Sequence, residues 1–153
     1  MTNKRKIYVS VSWILVAVCM GIIFSLSAQN GEESSDLSGS FVMAILEWLK
    51  LDIDEGFLRT CAHCLEFMGL SLLIFNATYA TWEKKITPLI AFAGTVLYAI
   101  TDEIHQIFVP ERAFQISDLT VDLGGIILGT TVIFLLFTIV TKISLKKKKG
   151  ESL

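Results

Sequence analysis

Four apolar stretches, each long enough for a helix to cross a bilayer, cut this chain into five polar pieces. The pieces alternate in charge. Lys4, Arg5 and Lys6 precede the first stretch, Lys84 and Lys85 lie between the second and third, and Lys142 with Lys146, Lys147, Lys148 and Lys149 follows the fourth. Ten of the 13 basic residues therefore fall on alternate pieces, and the remaining pieces with the adjoining stretch ends hold 13 of the 15 acids. Lys- and Arg-rich loops next to a membrane stay in the cytoplasm. The pattern predicts an all-α, polytopic membrane protein with both termini cytoplasmic. It has a further consequence: the ionisable residues inside the apolar stretches all gather at the opposite, outer face.

Composition agrees. The hydrophobic fraction is 53% and the mean hydropathy +0.63, with only two prolines in 153 residues. That is too apolar for an ordinary soluble domain, and the length suits a single domain over 1–153. The net charge of −2 says nothing about partners, because its two signs are segregated across the bilayer. No basic patch lies outside the expected cytoplasmic ends, so nucleic acid is not an expected partner. The run Lys146–Lys149 reads as a solvated topological anchor, with recognition of lipid head groups as the alternative. Membrane lipids are the first partner expected.

The expected spans are residues 7–28, 57–81, 86–109 and 117–141. The first has the basic start and small residues, Ser25 and Ser27, of a cleaved signal peptide. Its apolar part is longer than the roughly 7–15 residues such peptides use, which favours a retained helix. Residues 83–85 make a short cytoplasmic turn and residues 142–153 a basic cytoplasmic tail. The outer loop 29–56 is the only long one. After a polar, turn-prone start, Phe41, Val42, Ala44, Ile45, Trp48 and Leu49 recur at helical spacing. This predicts a short amphipathic helix over 38–51, resting at the outer interface or covering the bundle.

The polar constellation has helical spacing too. Arg59, His63 and Glu66 fall at i, i+4 and i+7 of the second stretch. Asp102, His105 and Gln106, with Glu103 beside them, share a face near the end of the third. Asp118, Asp122, Gly125 and Gly129 run along one face of the fourth. An ionisable group at the centre of a membrane helix costs at least about 2.5–3.5 kcal/mol. So many at one depth are tolerable only if the stripes face each other or a watery cleft. The expectation is a shared outward pocket of Arg59, His63, Glu66, Asp102, Glu103, His105, Gln106, Arg112, Asp118 and Asp122. The structural alternative is a set of buried ion pairs around Arg59 and Arg112 that only lock helix register. Because acids outnumber basic partners, a pocket here wants protons, a cation or a polar ligand.

These residues carry a resemblance. Trp13 and the run Phe24-Ser25-Leu26-Ser27-Ala28-Gln29, the element His63-Cys64-Leu65-Glu66-Phe67, the segment Asp102-Glu103-Ile104-His105-Gln106 with Pro110 and Arg112, and Asp118 and Asp122 with Gly124, Gly125 and Gly129 occur in order. The chain resembles the VanZ-like family over nearly its full length. That resemblance implies a small four-helix protein of the bacterial cytoplasmic membrane. The family's founding member is associated with tolerance to teicoplanin-type glycopeptide antibiotics, so a glycopeptide or a lipid-linked cell-wall precursor becomes an expected partner. The chain departs from the family pattern in two places. A Lys is usual near Arg59, and an Asn is usual where Asp122 stands.

Other chemistry finds less support. Cys61 and Cys64 have CxxC spacing, but the same i, i+3 arrangement arises by chance on a helix. With Cys19 they read as structural thiols. His63, Glu66, Asp102, Glu103, His105 and Asp118 offer atoms suited to a divalent cation, yet no recognised metal motif is present. Neither a metal nor a cofactor is expected, since no P-loop, GxGxxG or nucleophile elbow occurs. Gly125 and Gly129 form a small-x-x-x-small pair for close helix approach. Two functions stay open. One is a cell-envelope binding factor. The other is a membrane-embedded hydrolase or transferase with His105 or Glu103 as general base and Arg112 steadying negative charge.

Overall fold

The computed structural model describes residues 2–28, 55–82, 85–110 and 112–150, with side chains over the same ranges except at 55, 56, 58, 59, 141, 142 and 144–150. The amphipathic helix expected over 38–51 lies outside the described residues. Every described element is a helix: α1 (Asn3–Ser27), α2 (Glu55–Trp82), α3 (Thr87–Gln106) and α4 (Ile116–Gly150).

Local chemistry sets the helix ends. Thr2 caps α1, its hydroxyl accepting from the Arg5 amide at 3.4 Å. Pro88 sits in the first turn of α3, where a missing amide hydrogen costs nothing. At its far end α3 stops at Gln106, three residues short of the expected boundary. The chain tightens there into a turn, with the Phe108 amide donating to His105 O at 2.9 Å and the Val109 amide to Gln106 O at 3.1 Å. Pro110 disfavours helical backbone in the residue before it. The fourth helix differs the other way. It continues through the lysine run to Gly150, beyond the expected end at 141. Lysine is a good helix former, and basic charge suits a helix C-terminus.

Among the described residues, three helical segments are long and apolar enough to cross a membrane: Asn3–Ser27, Thr60–Trp82 and Ile116–Val140. The third expected span, α3, is not among them. It has 20 residues and carries Asp102 and Glu103 in its last turns.

The helices alternate up and down. Arg5 Nη2, near the start of α1, donates to Ala80 O at 3.3 Å, near the end of α2. Tyr8 donates to Asn76 Oδ1 at 2.6 Å, Asn76 Nδ2 donates to Ser12 Oγ at 3.0 Å, and Trp13 Nε1 donates to Thr81 Oγ1 at 3.0 Å. The rings of Trp13 and Trp82 meet edge to face 6.5 Å apart. This end carries the basic residues and takes the name inner end from the expected orientation alone. At the other, outer end the close of α1 meets the close of α3, and the start of α2 meets the start of α4.

Helix α2 is the hub and packs on the other three. Its broadest partner is α4, for a reason visible in two glycines. A Cβ at Gly125 would overlap the Cys64 carbonyl, and one at Gly129 would overlap Ser71 Oγ and lie 2.8 Å from Met68 O. Only hydrogen at these positions lets the two backbones come this close. Further along, the Tyr79 and Phe137 rings pack edge to face at 5.5 Å.

The distribution of side chains is inverted relative to a water-soluble bundle. Ile7, Ile14, Leu97, Leu135 and Val140 lie on the outside, while Ser12, Ser71, Thr78, Thr87 and Thr95 are buried between helices. The buried hydroxyls turn inward on their own helices: Thr78 donates to Ile74 O and Thr95 to Ala91 O, both at 2.7 Å. Lipid rewards this arrangement, since it offers polar groups no alternative partner and apolar groups no penalty. The apolar core, with Phe67, Leu70, Ile74, Ala99 and Ile126, lies between the polar outer end and the basic inner end.

Candidate functional site

At the outer end, polar side chains from all four helices converge. Ser27, the last residue of α1, donates its hydroxyl to Asp102 Oδ2 at 2.9 Å. Gln106, one turn further along α3, donates from Nε2 to Ser27 Oγ at 3.1 Å and to Asp102 Oδ2 at 3.3 Å. The i, i+4 relation of Asp102 and Gln106 makes this closed triangle possible. All three residues are buried. On the other side, His63 of α2 faces Asp122 of α4, with Nδ1 3.3 Å from Asp122 Oδ1. Asp122 is fully buried. Gly125, one turn below Asp122, brings α4 close enough for this contact.

Glu103 is fully buried and turns towards the loop between α3 and α4, where its Oε2 accepts from the Gln115 amide at 3.0 Å. It thereby fixes the approach to α4, whose first turn carries Asp118. Ser117 donates to Asp118 Oδ1 at 3.2 Å. An acid in a first turn is favoured by the unsatisfied amides and the helix dipole. His105 lies on the α1 side, its ring stacked on Phe24 with centroids 4.1 Å apart.

The remaining expected residues sort as follows. Glu66 is half-buried and within electrostatic reach of His63, Asp102 and Asp122. Glu103, Asp118 and Asp122 are within reach of one another, and His105 is within reach of Asp102. Arg112 is half-buried in the loop after α3. Arg59 belongs to α2, but its side chain lies outside those described. Among the expected residues, His63, Asp102, Gln106 and Asp122 thus make the direct contacts, and Glu66, Glu103, Asp118 and His105 surround them.

Three participants were not expected as site residues: Ser27, Phe24 and the backbone of Gln115. Ser27 carried a usable signal. It is a polar residue at the outer end of a span, at the same depth as the acids. Phe24 was marked only by its place in the run that carries the family resemblance, and no side chain announces a backbone donor.

The oxygens are not used evenly. Asp102 Oδ1, Glu103 Oε1 and Asp122 Oδ2 are buried and have no hydrogen-bond donor among the described residues. Again among the described residues, no three His, Cys, Asp and Glu side chains form a group able to hold a metal ion. Cys19, Cys61 and Cys64 are free thiols.

Apolar exteriors, small polar residues between helices and an ionisable cluster at one end define a membrane protein built as a helical bundle with one ionisable end. The chain belongs to the VanZ/LLP1 family, whose pattern matches residues 12–138. Comparison with curated proteins gives no match, and comparison with solved structures gives none either.

Proposed function

We propose that this single-domain protein of residues 1–153 is a cell-envelope binding factor of the bacterial cytoplasmic membrane, and that its outer polar mouth takes a lipid-linked or cell-wall-related group. One observation carries the reading: polar contacts that join α1 to α3, α2 to α4 and α3 to the loop before α4 gather at a single end of the bundle, and three of their buried carboxylate oxygens lack a donor among the described residues. A set of register-locking pairs would use its acceptors up. Membership of the VanZ/LLP1 family supports a link to tolerance of teicoplanin-type glycopeptides. The test is a susceptibility assay on cells carrying Glu66→Gln, Asp102→Asn or His105→Ala. Each variant should lose tolerance at near-normal membrane abundance. Retained tolerance in all three would sink the proposal.

In the topology that accompanies this reading, α3 also crosses, making four spans, both termini are cytoplasmic and residues 29–56 are outside. The basic residues at the inner end support it. In a background without native cysteines, Cys introduced at position 35 should react with an impermeant reagent on intact cells, and Cys at 144 should not. The opposite result overturns the orientation.

A second reading rests on the His63–Asp122 contact. A carboxylate that holds one imidazole nitrogen orients the other for proton transfer, so a hydrolase or transferase would use His63 as its base. The geometry supports His63 in this role over Glu103, which holds the loop, and His105, which stacks on Phe24. An enzyme should lose turnover in His63→Gln while still binding its ligand, and a binding factor should lose affinity by degrees across several variants.

A further inference from the structure

Three buried carboxylates share one peculiarity. Asp102 gives Oδ2 to Ser27 and Gln106, Glu103 gives Oε2 to the Gln115 amide, and Asp122 gives Oδ1 to His63. In each, one oxygen ties two elements together and the other has no donor among the described residues. The side chains are 3%, 0% and 0% exposed respectively. An acceptor held this deep without a donor is costly, and more so when charged. Three of them on two adjacent helices describe a need for N–H or O–H donors and for positive charge.

Resting on the pocket reading above, we infer that the outer mouth recognises an organic ammonium group. An ammonium offers three N–H donors and no acceptor, the complement of these oxygens. Glu66 and Asp118 lie within electrostatic reach of these acids. A metal ion fits less well, because no three ligating side chains among the described residues gather for one. The ammonium can come from a lipid head group or from a soluble amine, and ethanolamine chemistry covers both.

The test uses the full chain in nanodiscs and reads the thermal unfolding midpoint. In discs of phosphatidylglycerol alone, ethanolamine hydrochloride should raise the midpoint saturably. Choline chloride at equal ionic strength should not, since it keeps the charge and the hydroxyl but has no N–H donor. Asp122→Asn and Glu103→Gln, tested separately so that one folding failure does not decide the matter, should each weaken the ethanolamine half-saturation at least tenfold. Discs containing phosphatidylethanolamine should be stabilised over discs containing phosphatidylcholine if the lipid is the source. A rise with phosphatidylethanolamine and none with free ethanolamine supports the inference and assigns the lipid. An equal response to ethanolamine and choline, or none to either the amine or the lipid, overturns it. Stabilisation by sodium acetate instead also overturns it, while leaving the pocket reading intact. Only full tolerance in the Glu66, Asp102 and His105 variants removes the pocket itself.

Discussion

The two ends of this bundle handle polar groups in opposite ways. At the inner end Tyr8, Asn76 and Ser12 form a neutral chain in which Tyr8 supplies Asn76 Oδ1 and Asn76 Nδ2 supplies Ser12. Trp13 and Thr81 pair likewise. Donors meet acceptors, and the result is a clasp between α1 and α2. At the outer end the groups are ionisable and unevenly used, with three buried carboxylate oxygens that have no donor among the described residues. Polar groups that hold helices together in lipid can be few, neutral and matched. An excess of ionisable acceptors serves no such purpose and is costly to keep. The difference teaches where to look for function in a membrane bundle: at the polar groups that packing leaves unfilled.

That comparison can be broken from either side. The largest effect belongs to the interface that joins both ends. Gly125→Leu would drive a side chain into the Cys64 backbone carbonyl, and backbone cannot move aside as a flexible side chain can. The cost should reach or exceed about 3 kcal/mol, the upper part of the usual overpacking range, seen as a collapsed unfolding midpoint in detergent. A variant as stable as the parent would mean that α2 and α4 do not touch as described. Next comes Asp102→Ala, which strips the acceptor from the buried donors of Ser27 and Gln106 and should cost about 1–3 kcal/mol. Asp102→Asn keeps an acceptor oxygen and the shape. It should cost clearly less in the same melt, yet lose tolerance just as fully. If Asp102→Asn destabilises as much as Asp102→Ala, the outer end is structural like the inner one.

The inner end provides the converse. Asn76→Leu removes two of the clasp's hydrogen bonds, those with Tyr8 and Ser12, and should cost on the order of 0.6–1.7 kcal/mol, the measured scale of such bonds in membranes. Tolerance should persist at matched protein abundance, and its loss would erase the distinction between the ends. The smallest effect is expected at Phe24, which is half exposed and stacks on His105. Phe24→Leu should cost about 0.5 kcal/mol and shift tolerance only slightly. A loss as complete as that of His105→Ala would make the stack a principal positioning contact.

Much of this protein is written in one dimension. The length of the apolar stretches, the alternation of basic and acidic pieces and the helical spacing of His63 with Glu66, of Asp102 with Gln106 and of Asp118 with Asp122 are properties of the chain alone. They suffice because lipid forces backbone hydrogen bonds to close within each helix, and periodicity then determines which residues share a face. The glycine pair was legible for the same reason, since close approach needs small residues wherever the partner helix lies. Helix ends were less so. Pro110 shortened α3 to Gln106, and the lysine run extended α4 to Gly150, both by local backbone preferences weaker than the hydropathy signal.

Pairing was decided only in three dimensions. The sequence places Asp122 and Glu103 on stripes with their neighbours, but not which oxygen each presents to which donor. That Ser27 closes the triangle with Asp102 and Gln106, that His63 takes Asp122, and that Glu103 holds the Gln115 amide all depend on the azimuth and height at which the four helices dock. Side-chain spacing restricts azimuth to a face of the helix. The final rotation and height are set by contacts between helices distant in sequence, such as Gly125 against Cys64. The departure at Asp122 shows the limit well. As a residue type it marks only an added acid, and its place in the fold puts that acid fully buried against His63.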